Sequence, residues 1–296
     1  MSLVHPDIPR RHAVALSPQH VPWLIALAGF AAMFLPVYWT AAGNIWQTDD
    51  NGHGPIMLIV CLYLFWTRWR AIVDAPDEPA PRLGWPLFAL GFCLYVFGRA
   101  FDISSVEFAS QIPVAAAMLL LLKGRPALRA AWFPVLYLVF MTPLPGSLVD
   151  ALTGPLKQWI SDIVESLLYS AGYPIARSGV ILSIGQYQLL VADACSGLHS
   201  MFSLAALGTL FMYMMGRTSR VHNAIMLAAI LPIAFIANIV RVIILVLITY
   251  HFGDEAGQGF LHGTAGVVLM LVALGILFAL DAVLKLVLPG KRHASA

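Results

Sequence analysis

Cys195 is the residue whose surroundings most clearly indicate chemistry. It stands in Asp193-Ala-Cys-Ser-Gly-Leu-His199, where a polar segment enters a long apolar run. Asp193 is a favourable N-cap, so we expect Cys195 and Ser196 to lie in the first turn of a helix. Unpaired backbone N–H groups and the helix dipole favour a thiolate there, whereas the nearby Asp193 carboxylate acts in the opposite direction. The pattern therefore predicts a nucleophilic cysteine.

Arg241 is a charged residue inside an apolar run, in Asn238-Ile-Val-Arg241-Val-Ile-Ile. About ten apolar residues, or roughly 15 Å of helix, follow before the chain leaves the predicted span. A guanidinium at such depth is costly unless it is paired or hydrated, so it normally faces a cavity or a functional site. Snorkelling to the surface is the alternative. Asn238, one turn earlier on the same face, is expected to support the guanidinium or share its cavity.

His262 begins the last predicted span, in Gly259-Phe-Leu-His262-Gly-Thr-Ala-Gly266. Gly263 and Gly266 leave one helix face bare, which allows a second helix or an extended peptide to approach closely. His199 is a rival for the same chemistry, because it follows Cys195 by four residues and lies on the same helix face. Either imidazole is suited to transfer a proton.

These residues together supply a nucleophile, an imidazole and a fixed cation for a developing oxyanion. Those are the roles needed for acyl transfer through a thioester. The sequence contains no His-Glu-x-x-His pair, no Gly-x-Ser-x-Gly elbow and no phosphate loop. The three cysteines have no metal-ligand spacing, and Cys61 and Cys93 are expected to be small buried hydrophobes within spans. We therefore predict a thiol peptidase with no metal and no cofactor.

The elements that position these residues are predicted to be membrane helices. Hydrophobic residues make up 60% of the 296 and charged residues only 11%, so the lipid bilayer is the expected environment. A formal net charge of +2 argues against a nucleic-acid partner. Apolar runs predict an all-α polytopic protein with about eight spans. They fall near residues 21–41, 55–70, 83–99, 104–122, 130–145, 195–215, 221–250 and 261–288.

Basic residues indicate the orientation of these spans. With both termini inside, five basic clusters fall on the inner side, whereas only Arg99, Lys157 and Arg177 fall outside. The inner clusters are Arg10 and Arg11; Arg68, Arg70 and Arg82; Lys123, Arg125 and Arg129; Arg217 and Arg220; and Lys285, Lys291 and Arg292. Cys195, Arg241 and His262 then all lie toward the outer surface.

The longest polar segment, residues 146–194, is predicted to lie outside between the fifth and sixth spans. Apolar residues recur at helical spacing from Leu148 to Leu168, which predicts an amphipathic helix on the membrane surface. Strand-forming residues from Ile175 to Val191, broken by glycines, predict a small β-hairpin. The chain is thus predicted to be one membrane domain over 1–296, with 1–20 at the inner side and the catalytic helices in 195–288.

The combined motifs resemble the exosortase family. They are Ala-Cys195-Ser-Gly-Leu, Asn238-Ile-Val-Arg241 and His262-Gly, with further likeness at Gly52-His53-Gly54, Met141-Thr-Pro-Leu-Pro-Gly146 and Arg177-Ser-Gly. The resemblance implies a bacterial inner-membrane thiol peptidase or transpeptidase with its active site facing the periplasm. It implies substrates that are exported proteins ending in a Pro-Glu-Pro signal, a hydrophobic helix and a basic tail, and a link to exopolysaccharide. By the same resemblance Cys195 is the nucleophile, Arg241 the stabilising cation and His262 the base.

Some details depart from the family pattern or stay open. Many exosortases have Arg where this chain has His199, and Asn44-Ile-Trp-Gln-Thr-Asp-Asp together with Cys-Ser-Gly-Leu-His-Ser looks most like the exosortase B subgroup. Arg177, Lys157 and Arg241 are all candidates to recognise the substrate glutamate. Two other classes compete: a transporter or channel with Arg241 and His262 lining a pathway, and a scaffold for polysaccharide export without chemistry. The oligomeric state is not indicated.

Overall fold

The computed structural model describes residues 21–48, 52–190, 197–216, 219–263 and 265–287. Within these ranges the chain is mostly helical, with one small antiparallel sheet. The helices are α1 (Val21–Gly43), α2 (Gly54–Val73), α3 (Pro81–Ala100), α4 (Ser104–Ala109), α5 (Gln111–Leu122), α6 (Arg125–Ala130), α7 (Trp132–Tyr137), α8 (Gly146–Ser170), α9 (Gly197–Met215), α10 (Arg220–Phe252), α11 (Asp254–Gly263) and α12 (Ala265–Val287). Short 3-10 helices follow α1 at Ile45–Gln47 and α7 at Leu138–Met141.

Six segments of the described chain are long and apolar enough to cross a membrane. They are Val21–Gln47, Gly54–Val73, Pro81–Ala100, Ser104–Leu122, Val221–Phe252 and Val267–Val287. This pattern is that of a polytopic membrane protein, as predicted. The predicted fifth span is helical but short, with its apolar part at Trp132–Met141, and the predicted sixth span corresponds to α9, Gly197–Met215.

Local sequence explains why the helix of the predicted fifth span is short. Thr142 precedes Pro143 and is extended, with ψ 117°, because the proline ring disfavours helical backbone in the residue before it. The 3-10 helix therefore ends at Met141. By contrast, the 19 residues of α9 span about 28 Å, close to the roughly 30 Å of a hydrocarbon core.

The amphipathic helix predicted after the fifth span is present as α8, but its surroundings differ from the prediction. Ile160, Val164 and Leu168 are buried in a cluster with the sheet and with α10. The sequence pattern shows that one face is apolar and does not show what covers it. Protein covers this stripe, while Trp159 and Leu167 beside it stay exposed. The expectation of a helix lying freely on the membrane surface is therefore wrong for the buried stripe.

Three strands stand where a hairpin was predicted. Strands β1 (Ile175–Ser178), β2 (Ile181–Ile184) and β3 (Tyr187–Leu190) form an antiparallel sheet in the order β1-β2-β3. Two-residue turns begin at Gly179 and Gly185, with φ of 65° and 58°, a conformation that glycine adopts without strain. Ile184 pairs with Ile175 on one side and Tyr187 on the other. We call α8 and this sheet together the outer unit.

Three helix clusters form the rest of the core. The first joins α1, α2, α5 and α7 around Phe34, Cys61 and Tyr137. The second joins α9, α10 and α12, the helices closest in sequence to the predicted site. The third joins α1, α2, α5 and α6, with Trp23 and Ile72 among its members. Tyr137 Oη donates to the Ala206 carbonyl oxygen at 3.3 Å and so ties the first cluster to α9. Cys61 is buried as predicted, whereas Cys93 is exposed on the side of α3.

Candidate active site

The α9–α10 pair sets the depth of Arg241. α9 ends at Met215 and α10 begins at Arg220, so the two helices form an antiparallel hairpin. Gly208 packs directly on Ile230, because a Cβ at Gly208 would lie 2.9 Å from Ile230 Cγ1. Gly197 precedes Gly208 by eleven residues and Arg241 follows Ile230 by eleven, about 16 Å along each helix. Arg241 therefore lies at the level where α9 begins.

Arg241 is enclosed by the protein. Arg241 is 6% exposed, and Asn238, one turn before it on α10, is 1% exposed. Ala237 and Val242 beside them are also buried. A guanidinium that snorkelled to the surface would be largely exposed, so this alternative is excluded. The predicted pair of Asn238 and Arg241 occupies the interior of the bundle.

The outer unit packs onto α10 directly beyond Arg241. Val242, Leu245 and Val246 of α10 share a buried cluster with α8 and all three strands. From the sheet, Leu189 of β3 enters this cluster, and β3 ends one residue later at Leu190. The last strand therefore leads the chain along α10 toward the level of Arg241.

The segment that carries the predicted nucleophile begins after β3 and ends where α9 starts. Asp193, Cys195 and Ser196 lie outside the described residues, between Leu190 and Gly197. Both flanking residues belong to elements that pack on α10 near Arg241. Cys195 is two residues from Gly197, a separation of at most about 7 Å along the chain. His199 lies in the first turn of α9.

His262 lies near the end of the described part of α11. The chain turns at Gly253, where φ is 93°, and α11 then runs from Asp254 to Gly263. Residue 264 lies outside the described residues, and α12 follows from Ala265 to Val287. The helical residues Asp254–Gly259 precede the predicted start of the last span at residue 261. Gly263 is the last described residue of α11, and Gly266 lies in the first turn of α12.

α11 starts in close contact with α10. A Cβ on Gly257 would overlap Thr249 Oγ1, so only glycine permits this approach. His262 lies five residues, about 7.5 Å of helix, beyond Gly257. Arg241 lies eight residues, about 12 Å, from Thr249 on α10. The contact thus brings the helix of His262 to the end of α10 that carries Arg241.

Arg177, predicted as a substrate-binding residue, links the two parts of the outer unit. From β1 its Nη2 pairs with Asp162 Oδ1, and its Nε donates to Glu165 Oε2 at 3.3 Å. Its Nη1 donates to the Gly179 carbonyl oxygen at 3.0 Å. Two carboxylates of α8 therefore compensate the charge of this arginine. The observed contacts are those of a clamp between α8 and β1.

The acidic residues of the spans are paired with basic partners. Glu107 Oε1 lies 3.1 Å from Arg99 Nη1. Asp281, 3% exposed on α12, has its Oδ1 2.9 Å from His222 Nε2 of α10 and its Oδ2 2.9 Å from Lys285 Nζ. This pairing was not predicted, since His222 is recognisable from the sequence only as a histidine in the first turn of a predicted span.

A metal centre finds no support in the described part of the chain. No group of three or more histidine, cysteine, aspartate or glutamate side chains is placed there to hold an ion. Zinc and similar ions need three or four such ligands.

Comparison with known protein families matches residues 45–279 to the transmembrane exosortases. The match covers more than three quarters of the 296 residues and includes the segments of Cys195, Arg241 and His262. Comparisons with curated proteins and with solved structures give no match. On the extent of the family match, the chain belongs to the transmembrane exosortase family.

Proposed function

We propose that this protein is a membrane-embedded thiol transpeptidase that removes C-terminal sorting signals from exported proteins. Membership of the exosortase family supports a membrane transpeptidase or sorting role in general, with protein substrates and the lipid bilayer as partners. The finer proposal is a Pro-Glu-Pro signal followed by a hydrophobic helix and a basic tail. In this proposal the site faces the periplasm of a bacterial inner membrane, and the chain is a member of the exosortase B subgroup.

The observation that carries the proposal is the burial of Arg241 at the level where α9 begins. A buried guanidinium within reach of a helix start gives a fixed positive charge in a poorly solvated place, where it stabilises anions far more than in water. Cys195 lies two residues before that helix start in sequence. Thiolates at helix N-termini and near arginine are favoured over thiols.

The proposed reaction begins with attack of the Cys195 thiolate on the scissile carbonyl carbon. The C–S bond forms, and the negative charge moves to the carbonyl oxygen, where Arg241 stabilises it. Collapse of this intermediate breaks the C–N bond, and the leaving amine takes a proton from the imidazolium of His262. The product is a thioester on Cys195 and a released tail.

The second half of the reaction returns the enzyme to its starting state. Neutral His262 removes a proton from an acceptor amine or water, which attacks the thioester carbonyl. The C–S bond breaks, and the thiolate leaves with the electron pair. The outer unit covers this end of α10. Exclusion of water by such a cover favours an amine acceptor over hydrolysis.

The choice of His262 over His199 rests on the family resemblance together with the position of α11. The Gly257–Thr249 contact holds the start of α11 against α10, and His262 lies about one and a half turns further along. His199 lies in the first turn of α9 and is the alternative base. Asn238 is assigned the role of supporting Arg241.

A transporter is the competing proposal, and charge pairing weighs against it. Transport paths in membranes are marked by ionisable residues that face a bundle interior or a water-filled cavity. Glu107 and Asp281 are held by Arg99, His222 and Lys285 instead. The described part of the chain therefore offers no run of unpaired acidic groups along a path.

The test is co-expression with two exported reporters. One ends in Pro-Glu-Pro, a hydrophobic helix and a basic tail, and the other has Ala-Gln-Ala in place of Pro-Glu-Pro. We expect the first reporter to lose its tail and the second to keep it. Equal processing of both, or of neither, contradicts the proposed substrate class.

A further inference from the structure

A second feature of the bundle lies far from the site, in a groove between α1, α3 and α5. The groove has a volume of about 570 Å³ and is lined only by apolar residues and glycine. On α1 it runs from Val21 to Met33, about 18 Å of helix. That length is close to half of a bilayer core of roughly 30 Å, so the groove spans one leaflet.

Aromatic contacts identify the end of the bundle at which the groove lies. Trp23 in the first turn of α1 packs edge-on against Trp69 of α2, with ring centroids 5.3 Å apart. Arg68, next to Trp69, lies over the ring of Tyr213 near the end of α9. Because α9 begins at the level of Arg241, the groove lies at the opposite end, in the inner leaflet of the predicted orientation.

Among the described residues, Arg82 places a positive charge at the mouth of the groove. It lies in the first turn of α3, three residues before Trp85, which lines the groove, and so on the same helix face. Arg82 is exposed, and no carboxylate of the described chain forms a salt bridge with it. Lys123, at the end of α5, is instead paired with Asp77 at 2.7 Å. An apolar slot with a cation at its mouth complements an anionic amphiphile.

The volume of the groove favours a hydrocarbon chain over a protein helix as its occupant. A helix about 10 Å across has a cross-section of roughly 80 Å², so the groove would hold about 7 Å of it, little more than one turn. A hydrocarbon chain is several-fold thinner, so most of its length fits in the same volume. The basic tail of the proposed sorting signal would also meet Arg82 with a charge of the same sign. The groove therefore does not suit the substrate helix.

We infer that this groove, with Arg82 at its mouth, is a binding site for an anionic phospholipid of the inner leaflet. One acyl chain lies along Gly29 between α1 and α3, and the phosphate group lies at Arg82. The contribution of one cation near an anionic lipid surface is about 1 kcal/mol, which corresponds to about fivefold in affinity. The apolar groove contributes the remaining affinity for the chain.

Gly29 offers a way to fill the groove. Nothing lies within 4 Å of a Cβ at Gly29, so the first side-chain atom of Gly29→Phe meets no other atom of the described protein. Gly275 on α12 is equally open and lies away from the groove, so Gly275→Phe is the matched control. For the charge, Arg82→Gln is compared with Arg70→Gln, which removes an exposed arginine from the last turn of α2.

The experiment is native mass spectrometry of the purified protein with phosphatidylglycerol and with phosphatidylcholine of the same chains. We expect selective retention of phosphatidylglycerol, a loss of about fivefold in that preference for Arg82→Gln, and loss of the bound lipid for Gly29→Phe. Gly29→Leu is a smaller filling variant if Gly29→Phe does not fold. The controls should bind as the wild type does.

Two results would overturn the inference. One is equal retention of both lipids by the wild type and by Arg82→Gln. The other is unchanged phosphatidylglycerol binding by the filled variants together with lost processing of the tailed reporter, which would make the groove a substrate-helix site. Lipid binding is measured without substrate, so its outcome is independent of the peptidase test.

Discussion

Gly208 of α9 lies directly against Ile230 of α10, and this contact places Arg241 level with Gly197. The contact leaves no space for a side chain at Gly208. It therefore fixes how deep Arg241 lies relative to the helix that follows the predicted nucleophile. The proposed role of Arg241 depends on this register.

Replacement of Arg241 should impair the chemical step. We expect Arg241→Gln to slow reporter processing by about 10² to 10³, the usual effect of removing a group that stabilises an oxyanion. Arg241→Lys keeps the charge and loses the planar fork, so it should retain part of the activity. The rate is followed as the appearance of trimmed reporter at equal enzyme level. Arg70→Gln is the control, and activity of Arg241→Gln equal to that control would remove Arg241 from the mechanism.

The two histidines can be separated by single substitutions. His262→Ala should lower the processing rate by about 10² or more, because the thioester step then lacks its acid and base. His199→Ala should have a smaller effect. The measurement is the same reporter assay, with both variants compared at matched expression. Loss of processing in His199→Ala alone would assign the base to α9 instead of α11.

Arg177 either links β1 to α8 as a clamp or recognises the substrate glutamate. Substitution of its two carboxylate partners distinguishes these roles. If it is a clamp, the double variant Asp162→Asn and Glu165→Gln should affect processing much as Arg177→Gln does, since both break the link from β1 to α8. The loss should be modest, because a partly exposed ion pair contributes about 0.2–1 kcal/mol. Abolished processing in Arg177→Gln with normal processing in the double variant would instead support glutamate recognition.

His222 should stabilise the helices that carry the site. His222→Ala removes a hydrogen-bonding partner from the buried Asp281 carboxylate. We expect a loss of about 1–3 kcal/mol in unfolding free energy, because a buried acceptor loses a hydrogen bond. Thermal unfolding in detergent measures it. His251→Ala, at the exposed end of the same helix, is the control, and equal melting temperatures of the two variants would argue against this role.

The sequence predicts well where apolar segments lie, and it predicts poorly whether lipid or protein packs against them. Apolar periodicity located α8 to within a few residues of its observed ends at Gly146 and Ser170. The same pattern did not reveal that Ile160 and Val164 face α10 and the sheet, because lipid and protein both select apolar residues. The helical structure of Asp254–Gly259 was missed for a related reason, since its glycines and polar residues are typical of a loop before a span.

For the candidate site, too, some features were predicted from the sequence and others were not. A buried guanidinium was predicted from the cost of placing Arg241 deep in an apolar run, and its burial is confirmed. The pairing of His222 with Asp281 was not predicted, because it depends on which two spans are neighbours. The placement of Cys195 beside Arg241 stays a prediction, since Cys195 lies outside the described residues.

The most direct test of the central claim is processing of the Pro-Glu-Pro-tailed reporter by the Cys195→Ala variant. The account predicts no trimmed reporter, because the thioester cannot form without the thiol. Cys61→Ala and Cys93→Ala serve as controls and should process the reporter normally, since both residues lie within spans of the helical bundle. Trimming by Cys195→Ala at the wild-type rate would contradict the assignment of Cys195 as the nucleophile.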